Sequence, residues 1–149
     1  MNYLSEMFYG TLMNANDSVH LKRKHYKVGF EDVQQAIQKG NALLINTLPF
    51  EQQDCLVEGS VNAIQEVEKL NDYLEEERYH ETLIVYGLNH TDESVERKQK
   101  QLQSLGFRRV FVYLGGMFEW LLLQEIYGSA EFPTTSVQKD LLRFKPTKI

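Results

Sequence analysis

Three short apolar runs constrain this chain more than any other feature: Ala42 to Thr47 (ALLINT), Glu81 to Tyr86 (ETLIVY) and Arg109 to Tyr113 (RVFVY). Each has the length of a strand, and each is too apolar to keep one face in water, which is the pattern of a strand covered on both sides. Amphipathic segments lie between them. Glu31 to Lys39 predicts a helix with Val33 and Ile37 on one face and Gly40 just past its end. Ile64 to Arg78 predicts a surface helix with Val67, Leu70 and Leu74 on a stripe and its glutamates outward, and Val95 to Leu105 a third helix stopped by Gly106. His25 to Val28 reads as a short strand, and Gly59 to Ala63 as a second short strand or a turn. Met117 to Tyr127 is apolar almost all round and is expected to lie deep in the core. Strands alternating with helices imply an α/β domain with a mainly parallel sheet, and ligands of such sheets sit beyond the carboxyl ends of the strands. The loops after Thr47 and after Tyr86 are therefore the places to look for function.

Composition narrows the class. A chain of 149 residues, 42% hydrophobic and 25% charged, can build one core without a metal or a disulfide. A single cysteine cannot form an internal bridge. No apolar run is long enough to span a bilayer, and the N-terminal residues lack the basic-then-apolar order of a secretory signal, so no membrane association and a cytoplasmic address are expected. The net charge of -5 is unevenly spread, with twelve acidic residues between Glu51 and Glu93 against Lys69 and Arg78. Basic residues cluster at Lys22 to Lys27, at Arg97 to Arg109 and at Lys139 to Lys148, but no nucleic-acid motif accompanies them. They read as a solvated face, and weak nucleic-acid binding by the basic helix and tail is a minor alternative. Residues 1 to 25 read as an N-terminal arm whose aromatic residues need burial in cis or in trans, 26 to 131 as the domain, and 132 to 149 as a tail packed on it.

The runs LLINT, EGSVNA, TLIVYG and LGFRRVFVYLGGMFEW occur in the order of a known family, and over about residues 28 to 121 the chain resembles the rhodanese-like (sulfurtransferase) domain. The closing block from Gly106 to Trp120 carries the most specific match, because its glycines, alternating strand and tryptophan fall in register. Gly116 to Thr135 is similar to a subgroup, found in large DNA viruses and some protists, with YG-x-N in place of the family's cysteine. The resemblance implies a rhodanese-like α/β fold with a mainly parallel central sheet flanked by helices. In the active family a cysteine at the end of the strand accepts a sulfur atom, and loop amides and a helix N-terminus stabilise its thiolate. The matching position here is Gly87, and the family's aspartate and nearby arginine match Asn46 and Leu48. The C-x5-R signature of the phosphatase branch is also missing from Gly87 to Glu93.

The former active-site loop is thus Gly87, Leu88, Asn89, His90, Thr91, Asp92 and Glu93. Thr91 or Asp92 is expected to cap the next helix, with Asp92 and Glu93 in its first turn, where they suit the helix dipole and repel an anionic substrate. An inactive module that binds protein partners or self-assembles, in the cytoplasm or within a virion, is the leading expectation. Its candidate docking residues are Phe8 and Tyr9 in the arm and Leu141, Leu142 and Phe144 in the tail. A sulfurtransferase or sulfur carrier using Cys55 is the alternative, although Cys55 lies in a different segment and reads as a structural thiol. No cofactor or metal is expected: His90 has no second histidine or cysteine at ligand spacing. Trp120 and the Gly115-Gly116 pair read as core packing and a tight turn.

Overall fold

The computed structural model describes residues 26 to 147, so the arm, with Phe8 and Tyr9, lies outside the described residues. The elements follow the order β1 (Lys27–Val28), α1 (Phe30–Lys39), β2 (Leu43–Asn46), β3 (Ser60–Val61), α2 (Ala63–Glu75), β4 (Thr82–Tyr86), α3 (Ser94–Ser104), β5 (Arg109–Tyr113) and α4 (Gly116–Tyr127). Short 3-10 turns at Phe50–Gln52 and Leu141–Phe144 complete them. The five strands form one sheet in the order β1-β5-β4-β2-β3, and every pairing is parallel.

Both faces of the sheet are covered, and the strand residues divide between them with period two. Leu44, Ile84, Tyr86 and Tyr113 face α1 and α4, meeting Val33, Ala36, Met117, Trp120 and Leu121. Leu43, Ile45, Leu83, Val85, Val110 and Val112 face α2 and α3, meeting Leu70, Tyr73, Val95, Leu102 and Phe107. This double burial is why the strands read as continuous apolar runs.

Three expectations need correction. On α2, Val67 is 58% exposed while Tyr73 is buried, packing edge-on against Phe107 at a centroid separation of 6.4 Å. The glutamates are not all outward: Glu66 is buried, and its carboxylate receives Lys98 Nζ of α3 at 2.7 Å. Each residue along a helix turns the face by about 100°, so adjacent apolar positions compete for the inward stripe and the neighbouring helix decides between them. On α4, Met117, Trp120 and Leu121 are buried, but Leu122, Ile126 and Tyr127 are exposed. Only one side of that helix meets the core.

The segment beyond α4 returns over the domain. Phe132 stacks edge-on against Trp120 at 5.0 Å, and Trp120 Nε1 donates to the Pro133 carbonyl. Val57 and Thr134 form an antiparallel bridge, with Thr135 N donating to Leu56 O and Glu58 N to Pro133 O. Phe144 is buried in the core beside α1 and α4, Leu141 is half-buried, and Leu142 remains exposed. Phe144 therefore presents no side chain to a partner, because it serves as core.

Candidate functional site

The loop from Gly87 to Glu93 leaves the carboxyl end of the central strand β4 and enters α3. Its polar groups are spent on one another. The Asp92 carboxylate accepts the Leu88 N–H at 2.9 Å through Oδ2, and through Oδ1 it accepts the Ser94 N–H at 3.0 Å and the Ser94 hydroxyl at 2.6 Å. Asn89 is buried; its Oδ1 accepts the N–H and hydroxyl of Thr91, and its Nδ2 donates to the Phe144 carbonyl at 2.9 Å. Asp92 N donates to Asn89 O. Asp92 thus stands before the helix, which starts at Ser94, and not in its first turn; its carboxylate accepts the Ser94 N–H as a cap does and also turns back into the loop. A side-chain carboxylate bonding N–H groups two residues ahead and four behind satisfies the orphan donors of both the loop and the helix start.

The space in front of Gly87 is occupied. A Cβ placed on Gly87 would collide with Asp92 Oδ2 and lie 2.7 Å from Val95 Cγ2 and 2.8 Å from Thr47 Oγ1. On the opposite side α4 closes against the same loop: Met117 N donates to Gly87 O and Phe118 N to Leu88 O, both at 2.9 Å. That approach needs a residue with no side chain at Gly116, which adopts a φ of 65° and whose Cβ would lie 2.6 Å from Gly87 O. The first amides of α4, the natural place to hold an anion, are thereby committed to loop carbonyls.

The loop after β2 is held by uncharged groups. Asn46 is buried and pairs with Gln53 through both amides, Asn46 Nδ2 to Gln53 Oε1 at 3.1 Å and Gln53 Nε2 to Asn46 Oδ1 at 2.8 Å. Asn46 also accepts from Leu48 N and donates to Val61 O. Leu48 is buried core. Thr47 links the two loops: its N–H donates to Tyr86 O at 2.9 Å, and its hydroxyl oxygen lies 2.7 Å from Ser94 Oγ.

Cys55 is 1% exposed, with Sγ 3.5 Å from the Ser136 carbonyl. The returning segment from Pro133 to Ser136 roofs it, and Ser136 Oγ donates to Asp54 O. His90 and His80 are exposed, and among the described residues no three of His, Cys, Asp and Glu gather where they could hold a metal ion. Nearby, Tyr86 buries its phenol beneath the site, accepting Val57 N and lying 2.6 Å from Ser60 Oγ; burial pushes its pKa above the usual tyrosine value, partly offset by those bonds. Tyr113 donates to Glu119 Oε1 at 2.8 Å, and burial first, then that bond and the carboxylate charge, push its pKa well up. A cleft of about 650 Å³ opens beside the loops, bounded by Thr47, Leu48, Ala63, Ser94, Arg97 and Lys98.

Thr47, Val95 and Gln53 carry this geometry and were not singled out as site residues from the sequence, and Gly116 was read only as part of a tight turn. The Asp92-x-Ser94 spacing is the signal that could have exposed the back-bonded carboxylate, since aspartate commonly closes a turn onto an N–H two residues on.

The family model that describes the rhodanese-like domain matches residues 30–123. The chain belongs to the rhodanese-like family. Among solved structures it is similar to the BH2092 protein of Bacillus halodurans, at 19% identity and a TM-score of 0.56, covering 73% of this chain and 80% of that one. It is also similar to a full-length protein from Lactobacillus plantarum, at 14% identity and a TM-score of 0.55, covering 81% and 95%. A third is Ygr203w of Saccharomyces cerevisiae, described as a homolog of single-domain rhodanese and the Cdc25 phosphatase catalytic domain, at 15% identity and a TM-score of 0.55, covering 77% and 90%. At these identities the likeness is one of fold. No curated protein matches the chain. The lone cysteine is buried, and among the described residues no helix is long and apolar enough to cross a membrane.

Proposed function

We propose that this chain is a non-enzymatic rhodanese-like module that serves as a binding or structural component of an assembly. The reading takes Gly87 as the counterpart of the family's sulfur-accepting cysteine. What supports it is the space in front of Gly87: Asp92, Val95 and Thr47 fill the volume into which a nucleophile would project. The N–H groups of Leu88, Thr91, Asp92 and Ser94, which could otherwise converge on an anion, are bonded to Asp92 and Asn89 instead. A carboxylate held there would repel thiosulfate, persulfide or phosphate. The residual cleft beside the loops and exposed Leu142 are the surfaces offered to a partner. Gly116 to Thr135 resembles the subgroup from large DNA viruses and protists, which makes a virion or the cytoplasm the setting.

The deciding experiment is sulfur transfer from thiosulfate to cyanide by the full chain, with the mass of the protein read after exposure to the donor. The expected result is no turnover above the buffer and no sulfur added to Cys55. Turnover, or a persulfide on Cys55 in folded protein, would overturn the reading. Gly87→Cys is expected to remain inactive, because the added side chain meets Asp92 and Val95 rather than a cradle of free amides. The binding half is tested by retention of one partner from native extract by the full chain and its loss in Leu142→Asp or Arg97→Glu.

A further inference from the structure

Residues 137 to 147 lie against the domain as a strap, and its 3-10 turn, Leu141–Phe144, packs along α4. Its fixings are few. Phe144 is fully enclosed in the cluster that holds Met117, Trp120 and Leu121, and Leu141 packs at the edge of the same cluster. Val137, Lys139 and Asp140, which lead into the turn, are exposed. Two backbone bonds stay inside the strap, Arg143 N to Asp140 O and Lys145 N to Leu142 O, both at 3.3 Å. A segment seated by one ring in this way opens at a lower free energy than a strand such as β4, which is paired on both edges.

The strap is tied to the Gly87 loop through one side chain. Asn89 Nδ2 donates to the Phe144 carbonyl at 2.9 Å, while Asn89 Oδ1 accepts the Thr91 N–H at 2.9 Å and the Thr91 hydroxyl at 2.6 Å. The Asn89 carbonyl accepts Asp92 N at 3.1 Å. Asn89 is buried, so each polar group of its amide depends on a partner within the protein. Withdrawal of Phe144 removes the acceptor of Nδ2 and uncovers the amide, and water then competes for Oδ1 against Thr91. Loss of the Asn89 amide, in turn, leaves the Phe144 carbonyl without its donor.

We infer that residues 137 to 147 form a releasable plug, and that undocking of Phe144 and opening of the Gly87 loop are one event linked through Asn89. The inference is independent of whether the module binds a partner. Linkage is reciprocal: whatever favours the undocked strap opens the loop, and whatever holds the loop closed keeps Phe144 seated.

Residue-resolved amide hydrogen exchange on the full chain tests it, in wild type, Phe144→Ala and Asn89→Ala. In wild type the Thr91, Asp92 and Lys145 amides are expected to share one protection factor, at least tenfold below that of Leu83 and Val85 in β4. Phe144→Ala keeps the carbonyl and removes the ring, and should speed exchange at Thr91 and Asp92 tenfold or more. Asn89→Ala keeps the ring and removes the tie, and should speed exchange at Lys145 by a similar factor. Thr91 exchange unmoved by Phe144→Ala, or Lys145 exchange unmoved by Asn89→Ala, would overturn the coupling. Protection of Lys145 equal to that of Val85 in wild type would overturn the plug, since the strap would then open only with the whole fold. The wild-type rates decide that point even where a variant fails to fold.

Discussion

The two loops at the carboxyl ends of β2 and β4 sit side by side and are closed by opposite means. After β2, an amide pair, buried Asn46 with half-buried Gln53, satisfies the turn without charge. After β4, a partly exposed carboxylate, Asp92, gathers three donors. Asn46 can be buried because its amide finds both donor and acceptor in Gln53 and the neighbouring backbone. The carboxylate stays half-exposed, since burying a charge fully would cost more than its hydrogen bonds return. A parallel sheet aims both loops at one place, and here each has turned its bonding capacity inward, with a cleft between helices beside them.

The largest effect is expected at the neutral loop. Asn46→Ala strips partners from Gln53, Leu48 N and Val61 O in a buried setting and should cost about 2–4 kcal/mol in chemical denaturation. A loss under about 1 kcal/mol would show that the amide pair is not what holds that turn.

Gly87→Cys should cost about 1–3 kcal/mol through overpacking against Val95 and Asp92. Asp92→Ala alone should cost about 1 kcal/mol for the lost cap-like bonds. In the double variant the two costs should not add, since removing the carboxylate makes room for the thiol; additive costs in a double-mutant cycle would separate the two sites.

A smaller effect lies under the site. Tyr86 has a folded-state pKa raised above its ordinary value of 10.0, so the phenol stays protonated in the folded chain. Its contribution is fully present below pH 10 and is lost as pH rises beyond that, because the unfolded state releases the proton first. Tyr113 acts in the same direction. Alkaline denaturation of Tyr86→Phe should therefore show a shallower decline of stability above pH 10 than wild type; an unchanged slope would assign the decline to Tyr113.

The smallest is Lys98→Met, which breaks the partly buried pair with Glu66 beside the cleft. It should change stability by about 1 kcal/mol or less, read as a shift in denaturation midpoint. A loss several times larger would mean that water from the cleft does not reach the Glu66 carboxylate once Lys98 is gone.

Much of this was legible in the chain. The three apolar runs named the central strands because a strand covered on both faces has no polar alternation to hide, and the run from Gly106 to Trp120 named the family. The loop from Gly87 to Glu93 was located for the same reason, by its place after the central strand. What its side chains do there was not legible. Asp92 reads from the sequence as a cap or a first-turn residue, and that its carboxylate also reaches back to Leu88 N is visible only in three dimensions. Likewise, Val67 and Tyr73 competed for one helical stripe until α3 and Phe107 were set beside them. Local pattern determines which segments are strand or helix, since that depends on the periodicity of residues near in sequence. The filling of the space before Gly87 joins Thr47, Gly87, Asp92 and Val95, and the roof over Cys55 joins residues some eighty positions apart. Contacts of that range exist only once the sheet has brought the strand ends together, so the tertiary structure alone decided them.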